Sequence, residues 1–513
     1  MATVGWRCPV LEIELKLLLD APDFARIGRS GTVSGARRGR GSTSTLHTIY
    51  YDTPEQLLRR NQVVLRLRRS GRRWIQAVKG AGEEIGGLHR REEIEWPVPS
   101  GELDLELPAA TPFAKLFSRT KVRTGLSPVF ETVFRRRSIE LQLPGGATAL
   151  LCLDKGEIRA GAASEPICEA EIELVQGDAV ALLDFAGSLL GEIPFRIGTQ
   201  SKAERGYALA ALNAGAVPGP VRARSLAMTA TDTAQEAFST IIQSTAAQFH
   251  ANQRGFLEQG DPEYLHQLRV ALRRLRAALA LPRDTEWERA SRPLRDSLRY
   301  LSRQLGEARN WDVFVHEMLR PMSAHCGAKR LAELRQRATR RRAAALSAAR
   351  KGVQSRGTTQ LWLDLARLMA RWRGSSDIGR GAQEMAAEAI TRCFRRLADG
   401  AANGAGDANL HELRIAAKKL RYVCEFFSGL YPRKKVKRFV VALAALQDML
   451  GIIHDAAIGQ ALVAGANQGA RPLDAQTRGF AMGWIAAGQA QARRGIEEAI
   501  KTPLEAGVFW KPT

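Results

Sequence analysis

The chain has 513 residues, 45% hydrophobic and 25% charged, enough to bury two or three cores and too apolar for a disordered polymer. A formal net charge of +23 requires an anionic partner: nucleic acid, an anionic membrane, or a phosphate-rich small molecule or polymer. Aromatics at 6% argue against a single-strand nucleic-acid binder built on base stacking. In chain order, the first part reads as strands at Leu11–Leu19, Val63–Arg69, Trp74–Lys79, Arg91–Val98, Val129–Leu143, Ala149–Leu153 and Ile167–Val175. Turn signals such as Ser70-Gly71 and Pro144-Gly145-Gly146 separate them, and short helices fit Asp23–Ile27 and Ala179–Leu190. Ala214–Pro220 breaks the pattern, which places a linker at 213–225 between domains at 8–212 and 226–505. Beyond Leu226 the apolar residues recur at steps of three and four, giving helices at Leu265–Leu281, Arg292–Gly306, Trp311–Arg320, Arg330–Ala349, Leu410–Leu430 and Val436–Leu450. The fold class is therefore a two-domain protein: an N-terminal α+β closed antiparallel barrel and a C-terminal all-α bundle.

Alternation supplies the chemistry of the first domain. In a strand, Glu12, Glu14 and Lys16 share one face and Ile13, Leu15 and Leu17 the other. Arg66 and Arg68 alternate with Leu65 and Leu67; Arg91, Glu93 and Glu95 share a parity, as do Glu171 and Glu173. Taken alone, each reads equally as a solvated strand face. Together they predict a lumen with separate acidic and basic walls, the acids holding a hard divalent ion and the bases a polyanion. Within Arg135-Arg136-Arg137, parity turns Arg136 inward and its neighbours outward. His47 and His89 read as surface or packing residues, and no Ser/His/Asp or Cys/His nucleophile stands out.

These segments resemble the CYTH superfamily of triphosphate tunnel enzymes. Glu12-Ile-Glu-Leu-Lys16 resembles its ExExK signature, and Tyr50-Tyr51-Asp52-Thr53 its Tyr-Phe-Asp-Thr segment. Leu65–Arg68, Trp74–Gly80, Arg91-Glu-Glu93, Ala170–Leu174 and Ser201–Tyr207 resemble its later strands and closing segment, in family order. The resemblance implies an eight-stranded tunnel, with Glu12, Glu14, Lys16 and Lys79 catalytic. Metal ligands would be Glu12, Glu14, Asp154, Glu171 and Glu173, holding Mg²⁺ or Mn²⁺. Phosphate contacts would come from Lys16, Arg66, Arg68, Lys79, Arg91, Arg136 and Lys202. Ala77, where related chains often carry Thr, and the Arg135–Arg137 run depart from the pattern.

The helical part repeats itself. His266-Gln-Leu-Arg269-Val-Ala-Leu-Arg273-Arg274-Leu-Arg276 mirrors His411-Glu-Leu-Arg414-Ile-Ala-Ala-Lys418-Lys419-Leu-Arg421, and Gly306 to Asp312 mirrors Gly451 to Asp455 with a two-residue indel. His266, Arg269, Arg273 and Arg276 form one helical stripe; His411, Arg414, Lys418 and Arg421 form another. Like charges that close favour a neutralising anion, against the plainer reading of a solvated basic face. This region resembles the CHAD domain, which implies two four-helix halves related by pseudo-twofold symmetry and a basic surface binding inorganic polyphosphate.

The reading that joins both halves is a metal-dependent inorganic triphosphatase, with inorganic triphosphate as substrate and a polyphosphate-binding helical domain. The alternatives are a tunnel acting on thiamine triphosphate or a nucleoside triphosphate, adenylate cyclisation, or a non-enzymatic protein tethered to polyphosphate granules. Nucleic acid is the less favoured partner. Cys8, Cys152, Cys168, Cys326, Cys393 and Cys424 form no C-x-x-C pair, so reduced thiols are expected rather than a zinc site or disulfides. Without a membrane-length apolar stretch or a secretory pattern in Met1–Pro9, the expected setting is cytoplasmic, with no membrane partner.

Overall fold

Alternating apolar and charged residues need two different environments on the two faces of each strand, and closing the sheet provides them. The computed structural model describes residues 10–216, 218–282, 285–327, 329–373, 380–404, 406–466 and 472–510; Cys8, the first two residues of the expected 8–212 domain and Val217 of the linker lie outside them. The chain divides into two compact units, one up to Gly219 together with Arg356–Arg371, the other Pro220–Ser355 with the remainder.

The first unit is a closed antiparallel barrel. Its strands are β1 (Val10–Leu18), β2 (Arg37–Asp52), β3 (Val64–Ser70), β4 (Arg73–Ile85), β5 (Leu88–Val98), β6 (Ser127–Gln142), β7 (Thr148–Ala160) and β8 (Ala163–Gln176). The order β5-β4-β3-β2-β6-β7-β8-β1 closes through β1 on β5, and a short β9 (Arg196–Ile197) extends beside β1. The sequence reading omitted β2, whose Gly- and Ser-rich first half carries little apolar alternation; pairing with β3 and β6 makes it a strand. Leu65, Val78, Ile94 and Trp96 face outward beneath short helices that contribute Leu58, Phe117 and Val122.

Helix Lys202–Asn213 plugs one end of the barrel. It packs Ala203, Tyr207 and Leu209 on Leu46, Tyr50, Phe130, Phe134, Ile158 and Ile167. Its start is a capping box, Ser201 Oγ accepting from Glu204 N while the Glu204 carboxylate accepts from Ser201 N, so Lys202 is its first residue. Tyr207 Oη donates to Asp52 Oδ2 at 2.8 Å, and Asp52 also accepts from the amides of Thr53, Leu58 and Arg59. Residues 356–371 join this unit as a helix: Thr359 Oγ1 donates to Phe195 O, and Arg367 Nε sits 2.6 Å from Asp184 Oδ1. Gly86, at φ +60°, lies under that helix, where a Cβ would meet Trp362 O at 2.3 Å.

In the second unit the same series of four helices occurs twice. Helices Ala234–Glu258, Pro262–Ala278, Thr285–Val313 and Ala332–Val353 are followed by Ala382–Ala402, Asp407–Phe426, Arg433–Ala466 and Ala475–Arg493. Helices Pro262–Ala278 and Asp407–Phe426 pack on each other, bringing the two repeat copies together. The expected separate helix Trp311–Arg320 is instead continuous with Thr285–Val313 through a π turn at Phe314–Leu319. Among the described residues no helix is long and apolar enough to cross a membrane.

Candidate functional site

The parity of the strands decides the lumen. A cavity of about 270 Å³ inside the barrel is lined by seven basic side chains, Lys16, Arg66, Arg68, Lys79, Arg91, Arg136 and Lys202, and six acidic ones, Glu12, Glu14, Glu93, Glu95, Glu171 and Glu173. Arg136 points inward and Arg135 is exposed, as the alternation predicts. The expected separation into acidic and basic walls does not occur. Register places Glu12 opposite Arg91 and Lys16 opposite Glu171, so the charges interdigitate.

The bases fold onto the acids. Arg66 Nη2 donates to Glu93 Oε1 at 2.6 Å, and Arg68 Nη2 to Glu95 Oε1 at 2.7 Å. Both reach across Ala77, which sits opposite Arg66 on β4 and opposite Glu95 on β5, so its small side chain leaves room for those bonds. Lys79 Nζ bridges Glu12 at 2.6 Å and Glu93 at 3.0 Å. Arg136 holds Asp154 in a bidentate pair at 2.7 and 2.6 Å and also reaches Glu171 at 2.5 Å. Lys202 Nζ lies among Asp154, Glu169 and Glu171 at 2.7, 2.6 and 2.9 Å. Lys16 is 1% exposed, hydrogen-bonds Glu171 and approaches Glu14 at 3.5 Å.

Electrostatics divide the carboxylates into two groups. Burial disfavours the charge on Glu14, yet Lys16 together with Lys79 and His89 overcomes it and brings the carboxyl down to about 2. Glu171 lies far below the usual range because Lys16, Lys202 and Arg136 overcome its burial. Glu12 and Glu173 move the other way: burial raises both, and the neighbouring carboxylates add to it. Glu14 and Glu173 are direct cross-strand partners, and among the described residues no cation is within ion-pair distance of Glu173. This excess of oxygen donors at Glu12, Glu14 and Glu173 fits a hard divalent ion. Asp154 and Glu171, also expected as metal ligands, are already engaged by Arg136 and Lys202; with Glu169 they form a second cluster whose oxygens lie within 4.8 Å of one another. His89 is a buried packing residue with a defined role. Its Nε2 faces Gly198 O at 3.1 Å, its Nδ1 meets Arg91 Nη2 at 2.9 Å, and burial followed by Lys16 brings it down to about 4, so it is neutral and orients Arg91. His47 pairs on the outer face with Glu131.

Sequence reasoning turned Glu93 and Glu95 into the lumen but named neither as a ligand or phosphate contact, and it left Glu169 without a role. The signal existed, since each shares parity with a residue that was chosen. Thr48, Tyr50 and Phe134 also line the cavity and left no comparable signal.

In the helical unit six of the eight stripe residues gather. Arg269 is lowered to about 10 by burial and by Arg273, Arg309 and Arg414. Lys418 is brought down to about 7 by burial and by Arg414 and Arg273. His266 falls to about 4 through burial and Arg309. His454, to which the sequence assigned no role, stacks obliquely on His411 at 5.3 Å, and burial with Arg414 brings it to about 4. Arg276 lines a cleft together with Arg269, Arg273, Arg299 and Arg303, whereas Arg421 turns to Glu425. Each lies ten residues beyond its histidine, about 15 Å of helical rise. The repeat-related aspartates also differ: Asp312 pairs with Arg342 at 2.5 Å, whereas Asp455 faces Arg414 and Lys418.

A closed antiparallel tunnel with a charged lumen, followed by a duplicated helical array, defines a two-domain tunnel protein. Residues 11–207 match the CYTH domain and residues 240–464 the CHAD domain. The chain carries a CYTH domain followed by a CHAD domain. It is 33% identical over 168 residues to an inorganic triphosphatase of Haemophilus influenzae, a match covering 32% of this chain and 46% of that protein. A protein of Mycobacterium tuberculosis is 27% identical over 431 residues, covering 76% of this chain and 78% of its own. The solved CHAD domain of the plant Ricinus communis is similar at 32% identity and a TM-score of 0.51, covering 57% of this chain and 98% of that domain.

Proposed function

We propose that the barrel is a metal-dependent inorganic triphosphatase, cleaving tripolyphosphate to pyrophosphate and phosphate, and that the helical unit binds inorganic polyphosphate. The observation that carries the reading is the convergence of seven basic side chains on a cavity that also holds Glu14 beside Glu12 and Glu173, the two carboxyls that burial and neighbouring carboxylates raise. The similarity of the CYTH segment to an inorganic triphosphatase supports the same substrate class. Arg66 and Arg68 exchange Glu95 and Glu93 for phosphate oxygens, keeping charge-assisted bonds while the anhydride is oriented. Lys16, Lys79, Arg136 and Lys202 balance the remaining charge. Glu12, Glu14 and Glu173 would hold Mg²⁺ or Mn²⁺, which would offset phosphate charge and lower the pKa of water. Water oxygen bonds to a terminal phosphorus and gives up a proton to the leaving pyrophosphate or to solvent, while the bond to the bridging oxygen breaks and pyrophosphate departs with that electron pair. The Asp455-flanked cluster of Arg269, Arg273, Arg414 and Lys418 is the polyphosphate surface, with His266 and His411 at its edge.

The test is phosphate release from tripolyphosphate with Mg²⁺ or Mn²⁺. Glu12→Ala and Arg68→Ala are each expected to lose on the order of 10²-fold in kcat/KM. Full activity in both variants refutes the lumen assignment. Competition among tripolyphosphate, thiamine triphosphate and ATP fixes the preferred substrate. Polyphosphate binding that strengthens with chain length and resists excess RNA is the expected behaviour of the helical unit.

A further inference from the structure

The helical unit contains a second cavity, about 860 Å³, that touches the stripes only at His266 and Arg421. It is lined by helices Pro262–Ala278 and Asp407–Phe426 and by the first turns of helix Arg433–Ala466. Arg274 belongs to the repeated basic segment but to neither stripe, and it forms one wall. Its side chain is 2% exposed, its Nε has no hydrogen-bond partner, and its Nη1 makes one long contact to Glu425 at 3.4 Å. Behind it lies the Phe426 ring, 5.0 Å away. Arg421 Nε is 3.3 Å from Glu425 but misaligned for a hydrogen bond. A buried guanidinium short of acceptors is costly, and an incoming anion removes that cost. Arg433 and Lys437 add charge at the amino end of a 34-residue helix, whose dipole and free amides favour an anion.

The exposed Arg222 and Arg224 also line the cavity, Arg222 lying 3.8 Å from Glu263, but the rest of the lining is not suited to a bare polyanion. Val270, Val436, Val440 and the Tyr422 ring present an apolar wall. Glu425 is the one carboxylate among the lining residues, and burial holds it above the usual range although Arg421 and Arg274 pull it down. The Tyr431 hydroxyl is likewise buried without a partner. Such a cavity wants phosphate at one end, an apolar or aromatic body in the middle, and a hydrogen-bond donor facing a carboxylate.

We propose that this cavity binds an organic phosphate whose flat or apolar body carries a hydrogen-bond donor, the chemistry of a nucleotide. Phosphate engages Arg274, Arg421 and the helix start; the body lies against Tyr422, Val436 and Val440; the donor meets Glu425. The site is separate from the barrel and does not depend on its activity.

Isothermal titration of the full chain in EDTA, with AMP, ADP and tripolyphosphate as probes, tests it. EDTA removes divalent ions, and the two nucleotides are not triphosphates. The expected result is saturable binding of one AMP or ADP per chain, with tripolyphosphate at least tenfold weaker at this site. Val440→Trp, which fills the cavity, and Arg274→Met are each expected to weaken nucleotide binding at least tenfold, Val440→Trp without lowering the melting temperature. Glu12→Ala in the barrel leaves nucleotide binding in place, which separates this outcome from any failure of the triphosphatase reading. Absence of saturable nucleotide binding, insensitivity to Val440→Trp, or tripolyphosphate binding as tight as ADP overturns the proposal.

Discussion

Glu173→Gln tests the lumen most directly, because it removes one charge from a facing pair and keeps the shape. Glu14 and Glu173 are direct partners across β1 and β8, which places their Cβ atoms about 5 Å apart. Two charges at that distance and an effective dielectric of about 20 repel by about 3 kcal/mol. Lys16 near Glu14 offsets much of this, so the measured range for like cross-strand pairs, roughly 0.2–1 kcal/mol, is the better guide. In a domain of this size that raises the barrel's melting temperature by about 1–4 °C. The sign follows from the proton balance. Glu173 has its folded pKa raised above the ordinary 4.5, so its penalty is absent below that value and grows as pH rises through the raised one. The gain from Glu173→Gln should therefore appear at pH 7.5 and vanish at pH 4. Added Mg²⁺ or Mn²⁺ should stabilise the native barrel and leave the variant nearly unmoved, since one ligand is gone. Calorimetric scans in EDTA and in divalent metal, at both pH values, measure all of this. A variant that melts lower in EDTA at pH 7.5, or shows the full metal shift, refutes the argument.

Three further outcomes follow from other contacts. Tyr207→Phe removes the side-chain donor to the Asp52 carboxylate and should cost about 1.5–3 kcal/mol, read as a lower barrel transition in calorimetry. Asp154→Ala strips a fully buried carboxylate from Arg136 and Lys202 and should cost about 3–5 kcal/mol, whereas removal of a surface partner costs under about 1. Lys418, held near 7 by burial, Arg414 and Arg273, should take up a proton when polyphosphate binds. Affinity then falls as pH rises above 7, and titration heats change with the ionisation enthalpy of the buffer; Lys418→Met removes that buffer dependence.

Much of the site was legible because a strand has a period of two. Glu12, Glu14 and Lys16 had to share a face, and so did Arg66 with Arg68 and Glu171 with Glu173. Parity also sorted Arg136 from Arg135. The closing segment Ser201–Tyr207 was matched by family resemblance alone, and its capping box of Ser201 with Glu204 emerged only in the structure. Strand β2 escaped notice because serines and glycines carry no alternation, and its pairing with β6 is long-range. The helical stripes were read as units, yet Arg421 turns to Glu425, because periodicity fixes the angle around a helix and not what stands opposite each turn.

Composition and alternation alone pointed toward an anionic partner, and they determined that charged residues face one side of each strand and that the helical half is duplicated. Those are local properties, written in residue type and spacing. Which acid meets which base was decided only in three dimensions. Cross-strand register sets Glu14 against Glu173 and Lys16 against Glu171, and it interleaves charges that the sequence suggested would stand apart. Register depends on turns, bulges and barrel closure summed over the whole sheet, and no single strand contains that information.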